Sequence, residues 1–293
     1  MKIGYPCINN TVGCTANSTF RLAGYSEANL IKKTANNLEC LEKILQFNIE
    51  HRLLFFRISS GLIPFAGHPV CSFNWQEYFK DRLWQIGRLI KDSNVRISMH
   101  PDQFVLINAL KEEIVKNSTA ELKWHCELLD LMELDSSAKV QIHVGGVYGD
   151  KGSAVKRFIA NYKNLPELIR KRLAIENDER LFSLKDCLYI SEKVSIPVIF
   201  DCFHHSCLNN NESMRDAAVS AGSTWQKDDG ILMTDYSSQE AGSRTGKHAA
   251  GIDIEHFKNY LELTAGMDFD IMLEIKDKEK SALKALDVLN STE

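Results

Sequence analysis

The feature of this chain that most constrains its fold is a strict alternation of short apolar segments with longer segments whose apolar residues recur at helical spacing. The apolar segments predict strands at residues 2–5, 52–58, 95–99, 140–144, 173–175, 196–200, 231–234 and 269–273. Alternating strands and helices pair the strands in parallel, and eight such units close into an α/β fold, the (β/α)8 TIM barrel. The rival is an open doubly wound sheet, which more often has a glycine-rich phosphate turn where this chain reads GYPCINN.

The segments between the strands predict helices at residues 26–47, 72–91, 111–134, 153–172, 183–193, 214–222 and 254–263. The chain of 293 residues shows no Pro/Gly/Ser-rich linker, no shift in composition and no repeat. We therefore predict that residues 1–293 form a single TIM-barrel domain.

Charge and hydropathy restrict the partners. The net charge of −4 does not indicate a protein that binds nucleic acid by bulk electrostatics, although a local basic rim or a bound metal can supply positive charge. The first residues lack the apolar core of a signal peptide, and no apolar run approaches the roughly 18 residues of a spanning helix. We expect a cytoplasmic protein without a membrane partner.

The cysteines are the next constraint. Eight are scattered through the chain without CxxC spacing, several of them inside apolar segments. In a cytoplasmic protein this pattern favours reduced thiols over disulfides.

Polar residues that can bind metal stand at the ends of the third and later predicted strands: His100, His143, Glu176, Asp201, Asp235 and Glu274. His204, in a D-x-x-H sequence, and His248, in GKHAAGID, lie in strand-to-helix loops. The C-terminal ends of barrel strands converge on one face, so these residues are expected to be neighbours. Taken singly, each has a plainer interpretation as a hydrogen-bonded histidine or a helix-capping carboxylate.

Taken together, these residues predict a metal site. Four carboxylates at one barrel mouth repel one another unless cations balance them. Imidazole with carboxylate suits zinc, manganese or iron, and shared carboxylates can bridge two ions for phosphodiester cleavage or for handling sugar hydroxyls. We predict the catalytic residues to be Glu176, Glu274, His100 and His143.

Several motifs, in this order, resemble the UV damage endonuclease family: Y-P-C-x-N, FRISS, HPDQF, IHVGG-YG-K, LAIEND, D-x-x-H and MLEIKDK. The resemblance covers nearly the whole chain, and sugar isomerases of the same fold do not share this set. It implies a metal-dependent barrel, related to endonuclease IV, that nicks DNA immediately 5′ of UV photoproducts and also acts at abasic sites.

The resemblance also implies roles for individual residues. The implied metal ligands are His100, His143, Glu176, Asp201, His204, His248 and Glu274, with His68 close to the site. Gln103 and Phe104 are implied to insert into the duplex beside the lesion, and Tyr5 and Asn9 to lie by the flipped-out nucleotides. A damaged dinucleotide stacks poorly, so extruding it costs less than flipping intact bases.

Basic residues near the proposed mouth are candidates for phosphate contacts, among them Arg57, Lys151, Arg244 and Lys276. Their plainer interpretation is a solvated surface. For Gln103 and Phe104, the interpretation without the resemblance is a turn that caps and packs.

The chain departs from the family pattern in the seventh strand, where Met233-Thr234-Asp235 replaces Lys-x-His. In the family the lysine is carbamylated and approaches the metals, and methionine cannot form that group. Asp235 offers a hard oxygen ligand instead, which shifts the preference towards manganese or magnesium over zinc. We expect two or three divalent ions, manganese first, with zinc or magnesium as alternatives.

We therefore predict a monomeric repair endonuclease that cuts UV-damaged double-stranded DNA with a metal-activated water. One alternative is a metal-dependent sugar isomerase or epimerase on the same barrel. Such an enzyme would need neither the exposed pair Gln103 and Phe104, called here the wedge, nor basic residues around the mouth. The other is a damage-binding protein whose altered seventh strand has cost it catalysis.

Overall fold

The computed structural model describes residues 1–291 and contains a closed barrel of parallel strands in chain order, with β8 pairing back to β1. This confirms the predicted (β/α)8 fold. The strands are β1 Ile3–Pro6, β2 Phe55–Ser59, β3 Arg96–His100, β4 Lys139–His143, β5 Leu173–Glu176, β6 Val198–Asp201, β7 Leu232–Tyr236 and β8 Phe269–Leu273. All of their residues except His100 and His143 are buried, as expected for parallel strands covered by helices.

The helices surround the barrel. They are α1 Glu27–Glu50, α2 Trp75–Tyr78, α3 Lys80–Asp92, α4 Glu112–Leu131, α5 Lys151–Asn164, α6 Glu167–Arg170, α7 Leu184–Val194, α8 Cys202–Cys207, α9 Met214–Gly222, α10 Ile254–Leu263 and α11 Glu279–Asn290. The predicted helix at 153–172 is wrong in its middle, because Pro166 holds Leu165 in an extended conformation and separates α5 from α6. The predicted helix at 72–91 is likewise split into α2 and α3. Two further helices, α8 and α11, were not predicted.

The inside of the barrel is layered. A small apolar cluster of Phe55, Ala174, Ile199, Met233 and Met272 lies within it, separate from the main core between strands and helices. Each of these residues stands two positions before a polar residue that lies in the same strand or directly after it, and residues two apart along an extended chain share a face. The polar residues that follow them are Arg57, Glu176, Asp201, Asp235 and Glu274. The apolar layer therefore supports a polar layer towards the C-terminal ends of the strands.

The sequence departure in β7 is explained by these layers. Met233 is 1% exposed and packs in the apolar layer, so it takes no part in the polar layer above. Asp235, two residues later, stands in that polar layer beside Asp201 of β6. The barrel thus accepts methionine as a packing residue and leaves the polar chemistry of β7 to Asp235.

The expectation of reduced thiols is wrong for two cysteines. Cys14 and Cys40 form a disulfide between the loop after β1 and α1, and the other six cysteines are free. The loop is also tied to α1 by hydrogen bonds between Ser18 and Asn37. This packing brings the two Cα atoms within 5.9 Å, inside the roughly 4.4–6.8 Å that a disulfide spans. Cysteine spacing along the chain carried no signal of that contact.

Among the helices of residues 1–291, none has both the length and the apolar character needed to cross a membrane.

Candidate active site

The mouth of the barrel is the face formed by the C-terminal ends of the strands and the loops that follow them, and its polar cluster is centred on Glu176. Glu176 Oε1 lies 2.8 Å from His143 Nε2 and 3.2 Å from His100 Nε2. Its Oε2 accepts a hydrogen bond from Gln141 Nε2. The three strands involved are neighbours, and His143 pairs in register with Glu176. The barrel thus brings together the predicted residues from three separate strand ends.

A second group stands beside it. Asp201 ends β6 and caps α8, with Oδ1 accepting from the His204 backbone N–H at 2.7 Å and Oδ2 lying 3.2 Å from His204 Nδ1. Asn177 fixes this strand end, because its side chain donates to Asp201 O at 2.8 Å and accepts from Asp201 N at 3.1 Å. The His204 ring lies 5.7 Å from the His248 ring and 6.0 Å from the His143 ring.

The histidines are oriented as metal ligands are. Nδ1 lies beside a backbone carbonyl in three of them: 2.8 Å from Pro101 O in His100, 3.1 Å from Asn177 O in His204 and 2.9 Å from Glu274 O in His248. A proton donated from Nδ1 to the carbonyl leaves the lone pair on Nε2. In His143 the buried Nδ1 has no hydrogen-bond partner among the described residues.

Two sets of side chains present donor atoms that all lie within 4.8 Å of one another. One set is His100, His143 and Glu176, and the other is Glu176, Asp201 and Asp235. Glu176 belongs to both, as a bridging carboxylate would. Nitrogen and oxygen donors in these proportions fit a divalent metal such as manganese, zinc or magnesium.

The charges of the cluster show why it favours a cation. Burial raises the pKa of Asp201 to about 6 and the pKa of Asp235 well above its usual value, and neighbouring carboxylates add to both shifts. Burial also opposes ionisation of Glu274, but Arg57 outweighs it and lowers its pKa to about 2. Burial is likewise outweighed at Glu176, where His143 and His100 hold the pKa well below its usual value. The carboxylates exceed the fixed positive charge available to them.

Arg57 and Gln141 are part of the cluster, and the sequence did not indicate this. Arg57 was expected on the basic rim, but its side chain is buried inside the barrel, so that expectation is wrong. Its Nη2 donates to Asp235 Oδ1 at 2.7 Å and to Gln141 Oε1 at 2.8 Å, and its Nη1 donates to Glu274 Oε1. The only signal for Gln141 was its position two residues before His143, on the same face of β4.

Other predicted residues are not brought to the cluster. His68 is exposed in the loop after β2, where its Nδ1 accepts from Val70 N at 3.0 Å, and it is absent from both donor sets. Tyr5 is 0% exposed and donates to Asn48 of α1 at 2.5 Å. Asn9 is also buried and donates to the Tyr5 hydroxyl at 2.7 Å. Both side chains thus anchor the loop after β1, and their place beside flipped-out nucleotides stays a prediction.

The predicted wedge is exposed beside the cluster. Gln103 and Phe104 lie in the loop that begins after His100, and Phe104 is 75% exposed. The loop is held at its base, since Leu106 N donates to Ser118 Oγ of α4 at 2.8 Å. An anchored loop thus presents a large apolar ring to solvent at the barrel mouth.

The three predicted phosphate-binding residues are all exposed in or beside mouth loops. Lys151 begins α5 and pairs with Asp186 at 2.9 Å, and Lys276 pairs with Glu240 at 2.6 Å after β8. Arg244 lies in the loop after β7. Exposed ion pairs of this kind contribute little to stability, so these cations are available to exchange partners.

A family model described as UV-endonuclease UvdE matches residues 1–293. A relative from Clostridium perfringens (strain 13 / Type A), named UV DNA damage endonuclease, is 41% identical over 291 residues, covering 99% of this chain and 71% of the relative. A relative of the same name from Bacillus thuringiensis subsp. konkukian (strain 97-27) is 34% identical over 267 residues, covering 90% of this chain and 84% of the relative.

Solved structures give the same result. The crystal structure of SacUVDE is 47% identical and superposes with a TM-score of 0.96, covering 100% of this chain and 99% of that one. A D-psicose 3-epimerase from Clostridium cellulolyticum H10 is 12% identical with a TM-score of 0.56, covering 86% of this chain and 93% of that chain. The second likeness concerns the barrel alone.

Proposed function

The chain belongs to the UV-endonuclease UvdE family, and we propose that it is a metal-dependent repair endonuclease that nicks DNA 5′ of UV photoproducts and at abasic sites. One observation carries the proposal beyond family membership. A cluster of carboxylates and histidines centred on Glu176 lies at the barrel mouth, beside an exposed Phe104. The cluster suits hydrolysis of a phosphodiester, and the exposed ring suits the opening of a duplex.

We assign the ligands of the cluster as follows. His100 and His143 would hold one divalent ion together with Glu176, and Asp201, Asp235, His204, His248 and Glu274 would hold the remainder of a set of two or three, with manganese as the preferred ion. When bound there, such ions would supply an attacking water of lowered pKa and positive charge beside the leaving oxygen. The carbonyl partners of the histidine Nδ1 atoms keep the Nε2 lone pairs free for this task.

The DNA contacts follow from exposure. Phe104 and Gln103 fill the gap left when a poorly stacked damaged dinucleotide leaves the duplex. Lys151, Arg244 and Lys276 contact phosphates on either side of that gap. The partner is UV-damaged double-stranded DNA bound by a monomer, since a single mouth presents both the wedge and the cluster.

The test is an incision assay on a duplex with one cyclobutane dimer, beside the same duplex without damage. We expect manganese-dependent cutting immediately 5′ of the dimer, abolished by chelator and by Glu176→Gln. Glu133→Gln is the matched control, because Glu133 is exposed and pairs with Lys91 away from the mouth. Lesion binding without cutting would instead support a catalytically impaired binding protein. If the protein neither binds nor cuts the damaged duplex, the proposal is overturned, and sugars become the substrates to test.

A further inference from the structure

The cluster at the mouth already contains one cation, the guanidinium of Arg57. Its side chain is 4% exposed, and its two terminal nitrogens contact Asp235 at 2.7 Å, Gln141 at 2.8 Å and Glu274. Its Nε is buried and has no hydrogen-bond partner among the described residues. A buried guanidinium with an unsatisfied Nε is held there by its carboxylates, because desolvating a charge is otherwise costly.

Gln141 extends this arrangement towards the donor sets. Its Oε1 accepts from Arg57, which leaves its Nε2 to donate to both Asp235 Oδ2 and Glu176 Oε2. Both oxygens of Asp235 thus already accept hydrogen bonds, one from a guanidinium and one from an amide. Asp235 is the only carboxylate of the second donor set that contacts Arg57 among the described residues.

An ion placed between Asp235 and Glu274 would need the oxygens that now face Arg57. Two cations cannot share that space, because the guanidinium is always charged and would repel the metal at contact distance. The side of the polar layer that remains open to a divalent ion is therefore lined by His100, His143, Glu176 and Asp201. On the other side, Asp235 and Glu274 Oε1 bind Arg57.

We infer that Arg57 is a fixed cation of the site, which occupies the place of an additional divalent ion and makes Asp235 a partner of arginine instead of a metal ligand. The inference rests on the proposed function, in which the cluster binds divalent ions. It revises the expected role of Asp235, and it assigns to Arg57 and Gln141 the positioning of Glu274 and Glu176.

The test counts manganese ions per chain after chelation, by equilibrium dialysis against manganese chloride and elemental analysis. Arg57→Met removes the guanidinium while keeping an unbranched side chain, and it should bind one more ion per chain than the wild type. Arg57→Lys keeps a positive charge and should bind the wild-type number. A count for Arg57→Met equal to the wild type would overturn the inference.

Asp235→Asn provides an independent test if Arg57→Met does not fold. Asparagine can still accept from Arg57, so the number of ions should equal that of the wild type, whereas loss of one ion would make Asp235 a ligand and overturn the inference. Arg96→Met is the matched control, since Arg96 is a buried arginine paired with Asp270 at the other end of the barrel. Its count should not change. If the wild type itself binds no manganese, the proposed metal site fails first, and the inference falls with it.

Discussion

The two ends of the barrel contain buried charges in opposite arrangements. At the N-terminal ends of the strands, called here the lower end, Arg96 pairs with Asp270 at 2.9 Å and Lys139 with Asp229, roughly one cation to each carboxylate. At the mouth, the one permanently charged partner that the structure shows for the four carboxylates is Arg57, which contacts Asp235 and Glu274, whereas Glu176 and Asp201 face histidines that become charged only by taking up protons. Balanced charges need nothing more from solution. The carboxylates at the mouth need either protonated histidines or a metal ion to balance them, and this difference makes the mouth the candidate functional end.

Cavity size alone would have pointed to the wrong end. A cavity of about 480 Å³ lies at the lower end, lined in part by Lys2, Arg96 and Asp270. A smaller one of about 270 Å³ lies at the mouth beside His248 and Glu274. The larger cavity is lined by groups that already have partners, since Asp270 also accepts from the Lys2 backbone N–H at 2.5 Å. Unbalanced charge is therefore the better guide to function here.

The largest expected effect comes from breaking the balance of the lower end. Asp270→Leu leaves the buried Arg96 without its carboxylate, which should lower the free energy of unfolding by about 3–5 kcal/mol. Urea denaturation measures this change. Incision by the folded variant and its bound manganese should stay at wild-type values. A change in either would show that the two ends are not independent.

The next largest effect is expected from binding manganese at the mouth, which should stabilise the folded protein. A ligand that binds only the folded state stabilises it by about 2.7 kcal/mol at a hundred times its dissociation constant. Manganese should therefore raise the melting temperature of the wild type and, by the same free energy, that of Asp270→Leu. Glu176→Gln should gain markedly less, because it lacks the shared carboxylate. Differential scanning calorimetry measures these shifts in melting temperature. Equal shifts in all three proteins would show that the ion binds elsewhere.

The third effect concerns DNA binding by the exposed Phe104 at the mouth. Phe104→Ala should weaken binding to lesion-containing duplex by about 1–3 kcal/mol, the usual range for loss of one base-stacking ring. Its melting temperature and metal content should not change, because the ring is 75% exposed. Trp84→Ala is the control, an aromatic on α3 that is 43% exposed. Titration of a labelled duplex distinguishes the two, and equal losses would refute a specific role for Phe104.

A smaller effect should appear as pH dependence of the metal-free protein. Burial opposes protonation of His143 and His204, but Glu176 and Asp201 outweigh it and raise both pKa values to about 9. A raised pKa stabilises the folded state most below the ordinary histidine value and loses that contribution as pH rises through the folded-state value. In chelator, the free energy of unfolding should therefore fall by about 1 kcal/mol or more between pH 6.5 and 9. Saturating manganese should reduce or reverse the trend, and a flat chelator profile would contradict it.

The sequence sufficed for the barrel and for the residues at its strand ends. Glu176, His100 and His143 could be placed together because parallel strands of a barrel end on one face. Arg57 and Tyr5 could not be placed, because their strands are buried on both faces and show no polar alternation to tell inside from outside. The Cys14–Cys40 disulfide depended on a loop packing against α1, and that contact leaves no periodic pattern in the sequence.

The most direct test of the surplus charge at the mouth measures bound manganese and incision of a dimer-containing duplex on the same samples, across a manganese titration of chelated protein. Incision should be absent without metal and rise in step with the ions bound, with both signals lost in Glu176→Gln and both kept in Arg96→Met. Incision by protein that carries no metal, or full metal binding by Glu176→Gln, would contradict the account.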